Sequence, residues 1–137
     1  MEIGEIFYLY TDGMYKRQYG DKWLKITSSP RSTESARPFI YIQDGHNSDF
    51  AIMVPISETD NERCISIDSQ YLREARLVPN SKIMSKEVWE IPKSFIQEFE
   101  HNTLNGNHKK INLQFLTDTV KPILSEHINK IMNSYEE

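Results

Sequence analysis
Two short apolar runs, residues 39–42 and 50–56, flank the polar turn Asp44-Gly45-His46-Asn47. Both runs are rich in β-branched and aromatic residues, and Asp-Gly is a hairpin signal, so the pattern predicts an antiparallel hairpin at the centre of the core. Residues 4–10 predict a first strand with apolar side chains on both faces, ended by Thr11-Asp12-Gly13. Further strands are expected at 23–26 and 63–67, an edge strand at 71–78 after a turn at Asp68-Ser69-Gln70, and another strand at 81–91 that Pro92 stops. Residues 27–36, rich in Ser and Thr, read as a mobile loop within a mobile basic stretch at about 11–36, and residues 101–110 around Asn105-Gly106-Asn107 read as a loop.

Helical spacing occurs twice. Phe95, Ile96 and Phe99 predict one or two turns over 93–99. Leu116, Val120, Ile123, Leu124, Ile128, Ile131 and Tyr135 recur three and four apart and predict a C-terminal helix at 119–134. With Thr119 as N-cap, Pro122 falls in the first turn, where its missing N–H has no partner to lose. Residues 112–118 then form a separate turn or short helix. The sum is an α+β, mostly β chain of six or seven strands: a small, highly curved barrel closed by the C-terminal helix.

The length of 137 residues fits a single domain, 1–137, able to bury a core without metals or disulfides. No apolar run approaches membrane-spanning length, and the Met-Glu-Ile-Gly start lacks the basic and apolar regions of a signal peptide. The one cysteine, Cys64, excludes an internal disulfide and fits a reducing cytoplasm; within a strand-like run it reads as a small buried hydrophobe. His127 lies beside the apolar helix face with no ligand-spaced partner, so a metal role is not expected. The net charge of −4 argues against non-specific coating of nucleic acid.

Local charge changes that picture. Lys16, Arg17, Lys22, Lys25, Arg31 and Arg37 stand against only Asp21 and Glu34, with Tyr15, Tyr19 and Trp23 interleaved. Cations that hold phosphates and rings that stack on bases suit single-stranded RNA. A solvated loop with a few aromatics tucked onto the barrel explains the segment equally well. The hairpin ends carry the other candidates: Arg37 precedes the first strand, and Ser57 and Thr59 end or follow the second, so antiparallel pairing brings a guanidinium and hydroxyls together. On the residues alone, a strand-start ion pair for Arg37, with Glu34 or Glu58, and a turn role for Ser57 are the stronger readings.

In order and spacing, the chain resembles the MazF/PemK/Kid toxins of bacterial toxin–antitoxin systems. The resemblance runs from Gly4-Glu5-Ile6-Phe7 through Arg37-Pro38, Gln43-Asp44, Pro55-Ile56-Ser57 and Ile65-Ser66-Ile67-Asp68 to the strand at 81–91 and Phe95. It implies an SH3-like barrel, a homodimer, and a metal-independent endoribonuclease (mRNA interferase) without cofactor, with Arg37 and Ser57 catalytic. It also implies inhibition by an antitoxin whose acidic tail lies along Lys16, Arg17, Lys22, Lys25 and Arg31. The family's common Thr is Ser57 here, and the loop before Arg37 is longer. Arg-Pro before an apolar strand and Pro-Ile-Ser after it is similar also to the ToxN/AbiQ toxins, which an RNA antitoxin inhibits; those carry Ser-Pro-Lys where this chain has Glu58-Thr59-Asp60. Two non-enzymatic alternatives remain: a CcdB-like topoisomerase poison, and an SH3-like module binding peptide or RNA.

Overall fold
The computed structural model of the chain describes residues 1–9, 37–58, 64–85, 88–99 and 109–133. The strands expected at 23–26 and the loop at 27–36 lie outside these residues. Three strands form the centre: β1 (Glu5–Leu9), β2 (Arg37–Asp44) and β3 (Phe50–Ser57). All pair antiparallel, with Ile6 opposite Ile40 and Ile40 opposite Val54. Alternation along the strands then sends Ile6, Ile40 and Val54 to one face and Phe7, Phe39 and Met53 to the other. Both faces are buried, which explains why these strands read as near-continuous apolar runs.

The expected hairpin is present, and its turn differs in detail. Residues 45–49 connect the strands, with Gly45 N–H donating to the Phe50 carbonyl at 2.8 Å and Asp49 N–H to Asn47 Oδ1 at 2.8 Å. Gly45 is not in a left-handed conformation; Gly4 is the glycine with positive φ among the described residues, at 92°. A Cβ at Gly45 would instead come within 2.2 Å of a Glu90 carboxylate oxygen. The glycine leaves room for the buried Glu90 side chain, which the Asp-Gly turn signal could not reveal.

The remaining strands are β4 (Cys64–Ser66), β5 (Lys82–Met84), β6 (Trp89–Pro92) and β7 (Lys109–Lys110). The strand order is β4-β5-β3-β2-β1-β7, with β6 also on β3. The expected barrel is not closed among the described residues. The eight-residue β3 pairs with β6 along its first half and with β5 at its end, so the sheet forks at β3 instead of rolling back onto β1. The single strand expected at 81–91 is therefore two strands on different stretches of β3. Lys109 and Lys110, expected in a loop, add a strand to β1 opposite Ile6 and Glu5.

Two helical expectations are also corrected. Residues 69–74 form a helix, α1 (Ser69–Glu74), where an edge strand was expected. Tyr71, Leu72 and Ala75 bring one face to the core, with Tyr71 stacked on Phe115 at 5.1 Å between ring centroids. The helix α2 (Lys93–Phe99) agrees with expectation, and its Phe95 and Ile96 cover the Phe39 face of the sheet. At the C-terminus, α3 (Leu113–Phe115) passes through a π turn, Leu116–Val120, into α4 (Lys121–Asn133) without a break. The N-cap is Asn112, whose Oδ1 accepts from Phe115 N–H at 2.9 Å; Thr119 lies inside the π turn instead. Pro122 cannot donate to the carbonyl four residues back, and widening the turn just before it takes up that defect. Ile123, counted on the apolar face, is half exposed, while Leu116, Val120, Leu124 and Ile128 are buried.

Cys64 is half-buried, with Sγ 3.6 Å from Met84 Sδ across the β4–β5 pair. No helix among the described residues is long and apolar enough to cross a membrane.

Candidate functional site
The β2–β3 register decides where the hairpin ends lie. Phe39 faces Pro55, and the same register carried two residues further sets Arg37 across from Ser57. Arg37 is also the partner of Leu9 in β1. The guanidinium-bearing and hydroxyl-bearing residues thus share one end of the central sheet, as the sequence led us to expect. Both residues are half-buried.

A cleft of about 260 Å³ opens at that end. Tyr8, Pro38 and Ile56 line it from the three central strands, together with Ser57 and Glu58. The segment after α1 supplies Arg76, Leu77 and Val78, followed by Ser81, and β7 supplies Lys109. Arg37 is not among the lining residues: alternation assigns it to the Leu9 and Phe39 face of the sheet, while Tyr8 and Pro38 lie on the other. Ser57 ends β3 and reaches the cleft rim.

Local chain geometry builds the far wall. The helix α1 ends in a Schellman arrangement, with Leu77 N–H donating to the Leu72 carbonyl at 2.9 Å and Arg76 N–H to the Arg73 carbonyl at 3.1 Å. The residue that makes this turn is Arg76, at φ 56°, where glycine is usual. Its carbonyl accepts a 2.9 Å hydrogen bond from Lys109 Nζ, which also donates to Tyr8 Oη at 3.1 Å. The Lys109 ammonium lies 5.3 Å from the centre of the Tyr8 ring. The lining carries two cations, Arg76 and Lys109, against one carboxylate, Glu58. Such a wall favours an anion in a chain whose overall charge is negative.

Tyr8, Arg76 and Lys109 were not singled out by sequence reasoning. Tyr8 reads as an ordinary strand residue, Arg76 sits in a segment misread as a strand, and Lys109 contacts Tyr8 across 101 positions. The Lys109-Lys110 pair before Ile111 was the one available signal, and it sat in a stretch read as loop. Thr59, Tyr15, Lys16, Arg17, Lys22, Trp23, Lys25 and Arg31 lie outside the described residues. Among the described residues, no group of three His, Cys, Asp or Glu side chains is placed to hold a metal ion.

A second charged cluster lies at the opposite end of the hairpin. Glu90 in β6 is fully buried and accepts from His46 N–H at 2.6 Å and meets His46 Nδ1 at 3.0 Å. Nearby, Asp44 accepts from Lys93 Nζ at 2.8 Å and from the Tyr41 hydroxyl. The Lys93 bond, then the Tyr41 bond, hold the Asp44 carboxyl below the usual carboxylate range. Burial, reinforced by Asp44, pushes the Tyr41 hydroxyl well up. Both clusters tie the hairpin turn to β6 and α2, and a shallow cavity of about 350 Å³ lined by Asp49, Phe50, Pro92, Lys93, Ser94 and Gln97 lies beside them.

The fold and site together define an α+β protein with a forked antiparallel sheet and a cationic cleft at one sheet end. No known family model matches the chain, and no curated protein matches it significantly.

Proposed function
We propose that this chain is a metal-independent endoribonuclease of the MazF/PemK/Kid kind, the toxin of a bacterial toxin–antitoxin pair acting on single-stranded RNA. The observation that supports the reading is the β2–β3 register, which pairs Phe39 with Pro55 and, extended by two residues, brings Arg37 and Ser57 to one sheet end, near a cleft with more cations than carboxylates. RNA cleavage by its own 2′-hydroxyl needs no protein nucleophile. It needs proton transfer at the attacking and leaving oxygens, and donors for charge gathering on the phosphate. In this reading Arg37 clamps the phosphate through its two-pronged guanidinium, and Ser57 donates a hydrogen bond to a non-bridging oxygen. An arginine stays protonated near neutral pH, so its part is electrostatic. The products are a 2′,3′-cyclic phosphate and a 5′-hydroxyl. The reading includes a cytoplasmic homodimer held in check by an antitoxin, a protein with an acidic tail ahead of an RNA.

The test is incubation of the purified chain with a mixed RNA in EDTA, followed by sequencing and chemical typing of the new ends. Cleavage to cyclic phosphate and 5′-hydroxyl ends is expected, and Arg37→Ala and Ser57→Ala should each slow it by roughly 10²–10³. An RNA with 2′-deoxyribose at the scissile position should survive. Intact RNA, 5′-phosphate ends, or full activity in both variants would overturn the proposal.

A further inference from the structure
We propose that Tyr8, Arg76 and Lys109 form a phosphate-binding site for one nucleotide unit of an RNA strand, with the apolar wall of the same cleft taking the adjoining sugar or base. It deepens the ribonuclease reading and rests on it for the choice of RNA.

The donor count points to an incomplete site. An ammonium has three N–H donors, and Lys109 spends two, on Tyr8 Oη and the Arg76 carbonyl. These two bonds fix the ammonium at the cleft wall and leave its third donor unassigned among the described residues. Tyr8 Oη accepts from Lys109, so its own proton remains to be donated. The Arg76 guanidinium makes no ion pair with a described residue, although it lines the same space. Three donor groups of three kinds therefore border one cleft, two of them charged. A phosphodiester presents acceptor oxygens in several directions and carries the charge that two cations favour.

The backbone adds a second observation. Arg76 holds a left-handed conformation that disfavours every residue with a Cβ. Glycine would make this helix end with less strain, so arginine serves something besides the turn. The left-handed turn presents the Arg76 carbonyl to Lys109 and sets the side chain beside the cleft. Pro38, Ile56, Leu77 and Val78 supply the apolar wall. Val78 is 53% exposed, an aliphatic surface at the lip that a sugar or base would cover. Glu58 is the one carboxylate among the lining residues, so the cations outnumber it.

Adenosine 3′-monophosphate, with adenosine as the phosphate-free control, is the probe, titrated into the full chain by calorimetry and by amide chemical shifts. The nucleotide should shift the amides of Tyr8, Leu77 and Lys109, and adenosine should bind much more weakly. Lys109→Gln and Tyr8→Phe should each weaken nucleotide binding, the first by about tenfold or more, because a charge-assisted bond is lost. Arg76→Gly is the discriminating variant. It relieves the strained turn, so its melting temperature should equal or exceed the parent's while its nucleotide affinity falls. An affinity unchanged in Arg76→Gly and Lys109→Gln, or shifts confined to other surfaces, would overturn the site. Nucleotide binding here without RNA cleavage would leave the phosphate site standing and remove the ribonuclease. RNA cleavage with unaltered binding and activity in Lys109→Gln would do the reverse.

Discussion
At Gly45 the missing side chain matters through its neighbour. A methyl group there would overlap the Glu90 carboxylate, which is fully buried and receives the His46 backbone N–H. Gly45→Ala must therefore push the buried Glu90 carboxyl off its donors, and replacing Glu90 by Ala strands those donors directly. We expect each change to cost about 1–3 kcal/mol, measured by urea unfolding, since leaving a buried hydrogen-bonding group without its partner costs about that much. Asp44 acts more gently because its side chain is half exposed. Its carboxyl sits below the usual range, so its contribution is complete above the unfolded value near about 4 and is lost as pH falls through the folded value. A scan of melting temperature from pH 6 downward should show a loss in that acid window that Asp44→Asn removes.

Among elements, the C-terminal helix shows how a residue pattern and a backbone irregularity fit together. Leu116, Val120, Leu124 and Ile128 are spaced by fours, and a regular α-helix turns about 40° too far at each such step. The π turn at Leu116–Val120 absorbs part of this drift, keeping all four on the core. Deleting the exposed Thr119 should restore α geometry at small cost. Leu116→Ala should lose about 2–5 kcal/mol, because the side chain is wholly buried. Thermal unfolding followed by circular dichroism compares the two; equal losses would mean the π turn is not compensating spacing. The sequence made the helix legible and its start wrong, because Thr119 and Asn112 are both plausible caps and only packing chooses. The hairpin was legible because its strands are long and buried on both faces. α1 was not, since its core contacts come from Tyr71, Leu72 and Ala75 within a segment crowded with Arg73, Glu74 and Arg76.

Across the whole molecule, charge is arranged against the average. The chain carries −4, yet the end of the sheet that bears Arg37 also bears Arg76 and Lys109. If these three neutralise RNA phosphates, the affinity for an uncleavable deoxy-substituted strand should fall with salt with a logarithmic slope of about −2, at roughly 0.7 per contact. Fluorescence anisotropy at several salt concentrations measures it, and a slope near zero would mean the bound strand lies elsewhere. This is also the scale at which sequence reading ran out. Arg37 and Ser57 meet through one hairpin, and a reader can fold a hairpin mentally. Tyr8, Arg76 and Lys109 meet only after β7 has paired with β1, which no local pattern announces.

That late pairing bears on how the protein is made. Lys109 and Tyr8 are 101 positions apart, and β7 reaches β1 only when most of the chain exists. A ribosome that has released the first hundred residues presents the hairpin and the lining residues of the cleft, without its lysine. Translation itself therefore delays the cationic wall until the last quarter of the polypeptide has emerged. A ribosome-stalled chain ending before β7 should ignore the nucleotide that the finished one binds.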